Sequence, residues 1–197
     1  MKIAILTSSR ADYGILYPLI SKLKSDNFFD VDIIAFGSHL SKISGKTKAL
    51  ILNDGFEIKY SLNTSPKTDT PLHISNSMAN TINKFAKIWE KESYNLVLVL
   101  GDRYEMFAAC ASSIPFNVKI AHIHGGETTY GAIDDCFRNS ITQMASIHFT
   151  AAEEYQNRVI ELKNSNLNSE LFIFVELFII STFGFLKSGY SLIFCQI

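Results

Sequence analysis

Three clusters of polar side chains each follow a short apolar run that has the character of a buried strand. The clusters occupy residues 8–12, 101–105 and 122–127. Carboxylates such as Asp102 and Glu127 can act as general acids or bases when a substrate lies against them. The adjacent glycines Gly125 and Gly126 let backbone approach a ligand closely and can direct amides at an oxyanion or a phosphate, although such a pair is also common in ordinary loops. These residue types indicate acid–base chemistry beside an anion-binding loop.

Asp102 has two interpretations from sequence alone. It comes directly after an apolar run and a glycine, just before a stretch with helical character. It can serve as the N-cap of that helix, a frequent role for aspartate. It can equally serve as a general acid or base at the end of the strand. Position does not separate the two.

Histidines and carboxylates at residues 122–127 also allow a metal site. Side chains alternate along a strand, so His122 and His124 are expected on one face. With Asp102 or Glu127 they would make two histidines and one carboxylate, a ligand set of known metal sites. A strand histidine is more often part of the scaffold, and we expect no metal here.

A further acidic pair begins the helix that follows, in the segment Asp134-Asp135-Cys136-Phe137-Arg138. Asp134 and Arg138 are spaced i and i+4, which places them on one face of a helix and predicts an ion pair. Acids in a first helical turn are also favourable for purely structural reasons. The alternative is that Arg138 orients the carboxylate of Asp134 at the edge of a crevice.

The elements that must position these residues alternate between short β-rich runs and helical stretches. This alternation predicts an α/β fold with a doubly wound parallel sheet of Rossmann-like type. In such a sheet of order 3-2-1-4-5, the polar clusters meet at the carboxyl edge, where ligands bind. Strands are predicted at residues 2–7, 31–36, 56–60, 95–100, 118–123 and 147–150, and helices at 13–25, 39–53, 73–93, 104–113, 132–146 and 153–163.

Composition narrows the classes of function. The 18 basic and 19 acidic side chains give a net charge of −1, which argues against a nucleic-acid-binding protein. Three cysteines without short spacing favour a reducing, cytoplasmic location over a disulfide framework, and the N-terminus does not resemble a signal peptide. The chain carries neither a GxGxxG fingerprint after the first strand nor a Walker A motif, so we expect no NAD or ATP cofactor.

Residues 164–197 differ from the rest of the chain and define a separate predicted segment. They are rich in Phe, Ile, Leu, Ser and Asn, and the apolar stretch 171–186 is interrupted by Glu176. Sixteen residues fall short of the roughly 20 that a membrane-spanning helix needs. We therefore predict a domain at residues 1–163 followed by an apolar tail for which a membrane role is not expected.

Five segments in this order resemble the hydrolysing UDP-N-acetylglucosamine 2-epimerases, in the branch of sialic and legionaminic acid synthesis. The resemblance covers residues 1–163, and the segments are 7–14, 37–47, 98–105, 121–127 and 131–138. It implies the N-terminal domain of a GT-B fold, whose active site lies between two Rossmann-like domains. It also implies elimination of the nucleoside diphosphate across C1 and C2, then hydration to the 2-epimeric sugar, without a cofactor. Homodimers are common among such enzymes.

The resemblance also implies roles for individual residues. Asp102, Glu127 and Asp134 would be the catalytic carboxylates, with Asp134 preferred over Asp135 because of its spacing to Arg138. The substrate-binding residues would be Arg10, Arg138, His124, Gly125 and Gly126, with UDP-N-acetylglucosamine or a related diacetamido sugar nucleotide as the substrate.

The tail departs from the family pattern, because nothing after Lys163 resembles the second domain. We expect a frameshifted or truncated product with weak or absent turnover. Two alternatives stay open: a non-catalytic sugar-nucleotide-binding or partner module, and a metal-assisted hydrolase built on the histidines.

Overall fold

Seven parallel strands form one continuous sheet in the computed structural model, which describes residues 1–41, 45–129, 133–164 and 172–175. The strands are β1 (Lys2–Thr7), β2 (Asp30–Phe36), β3 (Ile58–Leu62), β4 (Leu96–Leu100), β5 (Ile120–Ile123), β6 (Ile147–Thr150) and β7 (Phe172–Val175). Their order is β3-β2-β1-β4-β5-β6-β7, and every neighbouring pair is parallel. The predicted doubly wound α/β sheet is confirmed.

Helices connect these strands. They are α1 (Arg10–Lys24), α2 (Lys48–Asn53), α3 (Pro71–Lys91), α4 (Tyr104–Ser113), α5 (Asp134–Met144) and α6 (Glu153–Asn164), with short 3-10 turns at Gly37–Leu40 and Ile114–Phe116. The predicted start of the fifth helix at Ala132 lies outside the described residues, and its described part begins at Asp134.

Both faces of the sheet are buried, which explains why the strands are apolar throughout instead of alternating with polar residues. Along β1, Ile3 and Ile5 belong to the core that includes α1, whereas Ala4 and Leu6 belong to the core that includes Phe85 of α3. Burying a large apolar side chain contributes roughly 1.5–3 kcal/mol. The helices on both faces therefore hold the strand ends rigidly.

The order of the strands reverses between β1 and β4. The chain builds outward from β1 through β2 to β3, then returns to pair β4 with the other side of β1. The loops that follow β1 and β4 consequently diverge at the carboxyl edge and leave a crevice between them. Residues 8–12 and 101–105 border this crevice, as predicted.

The predicted helix at residues 39–53 is wrong in its first half. Gly37–Leu40 forms a 3-10 turn, residues 42–44 lie outside the described part, and α2 begins only at Lys48. Gly45 and Lys46 have φ of 76° and 50°, in the left-handed region that cannot continue a right-handed helix. The helix ends at Asn53 as predicted, with Asp54 as its C-cap, and Gly55 follows with φ of 84°.

Strand β7 lies beyond the predicted domain boundary at residue 163. It pairs with β6 from Ile147↔Phe172 to Thr150↔Val175, so part of the apolar tail extends the sheet. The rest of residues 165–197 lies outside the described part, and the boundary stays a prediction. Within the described ranges, every helix is too short or too polar to cross a bilayer.

Candidate active site

The turn after β1 is organised by Asp12, which sequence reasoning did not select. Its carboxylate accepts hydrogen bonds from the amide of Ser8 at 2.9 Å and the amide of Ser9 at 3.0 Å, and from both serine hydroxyls at 2.7 Å. Ser9 in turn caps α1 by accepting from the Asp12 amide. This is a capping box, and its signal in the sequence is a serine followed three residues later by an acid. The arrangement fixes the turn and leaves Arg10 exposed as the first residue of α1.

Asp102 does not cap α4. The N-cap position belongs to Arg103, and no side chain makes a capping hydrogen bond there. Instead, the Asp102 carboxylate accepts a hydrogen bond from Nη2 of Arg138 on α5. Gly101, with φ of 80°, makes the sharp turn that directs Asp102 away from the strand. Of the two interpretations of Asp102, the capping role is wrong.

Arg138 pairs with Asp135, and the predicted pairing with Asp134 is wrong. Its Nη1 donates to Oδ1 of Asp135 at 3.1 Å, so the partners are spaced i and i+3. Arg138 is buried, and it joins Asp135 of its own helix to Asp102 of the loop after β4. The spacing to Arg138 therefore does not favour Asp134 over Asp135. The catalytic role of Asp134, at the start of α5, stays a prediction.

Asp135 also holds the loop that carries Glu127. Its Oδ1 accepts a hydrogen bond from the amide of Thr129 at 2.9 Å. A continuous chain of hydrogen bonds consequently runs from Asp102 through Arg138 and Asp135 to a residue two positions from Glu127. The structure thus connects three of the polar segments selected from sequence.

Within the loop, the side chains of His124 and Glu127 are in contact through Nδ1 and Oε1. β5 ends at Ile123, and His124 has φ of 63°, so strand alternation does not extend to it. The amide of His124 donates to the carbonyl of Phe149 on β6 at 2.9 Å. The predicted shared face of His122 and His124 therefore lacks its geometric basis.

His122 belongs to the scaffold. It is fully buried, its Nε2 lies 2.8 Å from the Gly101 carbonyl, and its Nδ1 lies 3.2 Å from Oγ1 of Thr142 on α5. Burial lowers the pKa of His122 to about 4, so the ring is neutral near pH 7. Across the described part of the chain, no three His, Cys, Asp or Glu side chains are grouped as a metal site requires. Those residues give the metal-assisted hydrolase no support.

The two glycines of the loop face the protein itself. Gly126 has φ of 81°, and a Cβ there would lie 2.3 Å from the carbonyl oxygen of Tyr155 on α6. A Cβ on Gly125 would lie 3.0 Å from Nδ1 of His122. Close packing against α6 and β5 accounts for the glycine pair, and a role of Gly125 and Gly126 in binding substrate stays a prediction.

Two buried polar residues near the crevice were also missed. His39 lies between Oγ1 of Thr7 at 2.8 Å and Oγ1 of Thr47 at 2.9 Å, and burial lowers its pKa. Glu105 is buried beside Gly37, and burial raises the pKa of its carboxyl, while Arg103 donates to its Oε1 at 2.8 Å. Single histidines and helix glutamates carry no sequence signal that distinguishes these buried positions from exposed ones.

The arrangement combines partly exposed carboxylates with a fixed cation. The side chains of Asp102, Glu127 and Asp135 are between 23% and 27% exposed, so each can reach a ligand or water. Arg138 is held on two sides and cannot turn away to solvent. Such a set can transfer protons at one substrate atom while a developing negative charge is stabilised nearby.

Comparison with known proteins identifies the family of this chain. The profile of the family described as UDP-N-acetylglucosamine 2-epimerase matches residues 21–170. The polysialic acid biosynthesis protein P7 of Escherichia coli is 37% identical over 161 residues, which are 82% of this chain and 41% of the relative. The GDP/UDP-N,N'-diacetylbacillosamine 2-epimerase (hydrolyzing) of Campylobacter jejuni is 33% identical over the same share of this chain and 42% of its own length.

The fold is shared with solved epimerase structures. That of the UDP-GlcNAc 2-epimerase from Neisseria meningitidis bound to UDP-GlcNAc superposes with a TM-score of 0.75 at 18% identity, over 96% of this chain and 53% of that one. This chain thus spans about two fifths of the length of its sequence relatives. On the matched profile and the shared fold, the chain belongs to the UDP-N-acetylglucosamine 2-epimerase family.

Proposed function

We propose that this chain provides the carboxylate-bearing half of the active site of a hydrolysing sugar-nucleotide 2-epimerase. The substrate would be UDP-N-acetylglucosamine or a related diacetamido sugar nucleotide, and the products UDP and the 2-epimeric free sugar. The observation that carries the proposal is the hydrogen-bonded chain Asp102–Arg138–Asp135–Thr129 at the carboxyl edge of the sheet. It joins carboxylates from two segments, Asp102 and Asp135, and holds the loop that carries Glu127 at the crevice where ligands of such folds bind.

The chemistry assigns two tasks to these groups. A carboxylate removes the proton at C2 as the bond from C1 to the diphosphate oxygen breaks, which leaves a glycal and UDP. A second carboxylate then directs water to C1 while a proton returns to C2 on the opposite face. Asp102, Glu127 and Asp134 are the proposed acids and bases. The proton at C2 is weakly acidic, so precise positioning of the carboxylates must supply much of the rate.

Cations would act on the leaving group. Arg10 begins α1 at the crevice and is exposed, so its guanidinium is available to a diphosphate. Arg138 would orient Asp102 toward the sugar through their ion pair. His124 is placed to orient Glu127 through their direct contact. Binding of UDP-sugar, a cytoplasmic location and a homodimeric assembly are parts of the same proposal.

A turnover and binding experiment tests the proposal. The chain is incubated with UDP-N-acetylglucosamine, and released UDP and N-acetylmannosamine are quantified, while calorimetry measures the affinity for UDP. Asp102→Asn is the test variant. Asp30→Asn is the matched control, because Asp30 is exposed at the amino end of β2, opposite the crevice edge.

The outcomes separate the candidate functions. Release of both products that Asp102→Asn abolishes and Asp30→Asn preserves supports the epimerase. Binding without product release that Asp102→Asn weakens and Asp30→Asn preserves supports the half-site with the weak or absent turnover that is expected from sequence. Binding that Asp102→Asn leaves unchanged favours a non-catalytic sugar-nucleotide-binding module. Absence of both binding and turnover contradicts the proposal.

A further inference from the structure

Arg158 of helix α6 forms hydrogen bonds with the loop that carries Glu127. Its Nη1 donates to the carbonyl of Gly126 at 3.0 Å and also to the hydroxyl of Thr128. These two acceptors flank Glu127 in the sequence. One terminal nitrogen therefore binds the residues on both sides of a proposed catalytic carboxylate, through the backbone of Gly126 and the side chain of Thr128.

The same loop is also held by α5. Asp135 accepts from the amide of Thr129, and the packing of Gly126 against the carbonyl of Tyr155 leaves no space between loop and α6. Glu127 therefore projects from a short segment that is held by two helices. We call the contacts of Arg158 and Asp135 with this segment the clamp. The His124 side chain then fixes the direction of its carboxylate.

We propose that Arg158 is a positioning residue that, together with Asp135, holds Glu127 at a fixed distance from Asp102. This inference rests on the proposed function for the role of Glu127, but the clamp itself can be tested without substrate. Arg158 contacts the backbone and a neighbouring hydroxyl of the loop, so it acts through Glu127 and not on the substrate.

The geometry explains why arginine suits this position. A charged donor makes stronger hydrogen bonds than a neutral one, and Nη1 carries two hydrogens for two acceptors. Lysine retains a charged nitrogen with three hydrogens, so it should restore part of the clamp. Glutamine is uncharged and shorter, so it should not.

Amide hydrogen exchange on the full chain tests the clamp directly. Arg158→Gln should raise exchange of the amides of residues 124–129 on the order of tenfold. Opening of the loop then no longer breaks the two hydrogen bonds of Arg158, whose net strength is reduced because Arg158 is half-buried and water competes for them. Arg158→Lys should give an intermediate rate. Asn157→Ala is the control, since Asn157 is the exposed neighbour on the same helix and should leave the loop unchanged.

Two further measurements separate positioning from general stability. The ring resonances of His124 should move in Arg158→Gln, return toward their original positions in Arg158→Lys, and stay in place in Asn157→Ala. Exchange in β1 and α3 should be the same in all four proteins. Unchanged exchange at residues 124–129 in Arg158→Gln would overturn the proposal, and so would an equal increase throughout β6 and α6.

Addition of UDP-N-acetylglucosamine distinguishes failure of the clamp from failure of the proposed function. If the loop exchanges faster in Arg158→Gln and no variant binds the ligand, the proposal for the clamp is supported and the proposed function is refuted. If the unaltered chain and Arg158→Gln bind the ligand equally and the loop amides exchange at the same rate in both, the proposed function is supported and the proposal for the clamp is refuted.

Discussion

Removal of the Arg138 guanidinium should destabilise the fold measurably. Arg138 is buried and donates charge-assisted hydrogen bonds to Asp102 and Asp135, each of which contributes about 1.5–3 kcal/mol when the acceptor is charged. Two effects reduce the loss. The carboxylates are 23% and 24% exposed, so water solvates them in the variant. Nε of Arg138 is buried with no hydrogen-bond partner among the described residues. Replacing the guanidinium removes this unfavourable desolvation, which offsets part of the loss.

These opposing contributions predict that Arg138→Gln lowers the free energy of unfolding by about 2–3 kcal/mol, less than the value of about 3–5 kcal/mol for a fully buried pair. Urea denaturation measures it from the midpoint and the slope. Arg138→Lys should lose nearly as much, because one ammonium group cannot match two carboxylates as a planar guanidinium does. Lys87→Gln, at an exposed position of α3, is the charge-matched control and should change stability by less than about 0.5 kcal/mol.

A double-mutant cycle with Asp102→Asn isolates the ion pair. Residues in direct contact couple by about 0.5–3 kcal/mol, so the two substitutions together should cost less than the sum of their separate effects. Arg138→Gln with a stability equal to that of Lys87→Gln would refute the account of this cluster. Strict additivity with Asp102→Asn would refute the direct pairing.

Two other predictions concern the scaffold. Burial lowers the pKa of His122 to about 4 and that of His148 to about 3, below the value of 6.5 in the unfolded chain. The unfolded state therefore binds more protons than the folded state as the pH falls. Stability should consequently decrease as the pH drops below about 6.5. Urea midpoints between pH 7 and 5 should show this slope, and His148→Phe should reduce it; an unaltered slope would contradict the assignment. Gly126→Ala should cost more than about 2 kcal/mol, since its Cβ would lie 2.3 Å from the Tyr155 carbonyl at φ of 81°. Gly14→Ala, in an exposed position of α1 with open space, should instead stabilise by about 0.5–1 kcal/mol, and equal effects of the two in thermal melts would be contrary to the structure.

The strands and their order were accessible from sequence because both faces of the sheet are buried. Runs such as Leu96–Leu100 are apolar at every position, and parallel strands joined by helices allow few topologies. The carboxyl edge follows from that topology, which is why Asp102 and Glu127 were selected although they lie far apart in the chain from residues 8–12.

The failures share a physical cause, since each depended on local geometry that spacing does not encode. The i and i+4 rule predicted Asp134 as the partner of Arg138, but a helix also allows i and i+3, and the position of Asp102 favoured Asp135. The left-handed residues Gly45 and Lys46 interrupt what reads as a helix. Arg158 and Asp12 each bind backbone groups together with neighbouring hydroxyls, and these partners depend on the folded loop.

The position of a bound sugar nucleotide tests the central claim most directly. Nuclear magnetic resonance of the isotopically labelled chain, titrated with UDP-N-acetylglucosamine, reports which amides sense the ligand. The account predicts that the largest shifts lie in residues 8–12, 101–105, 124–129 and 133–138, and that they shrink in Asp102→Asn. Shifts concentrated at the amino ends of the strands, or no shifts at millimolar ligand, would contradict it.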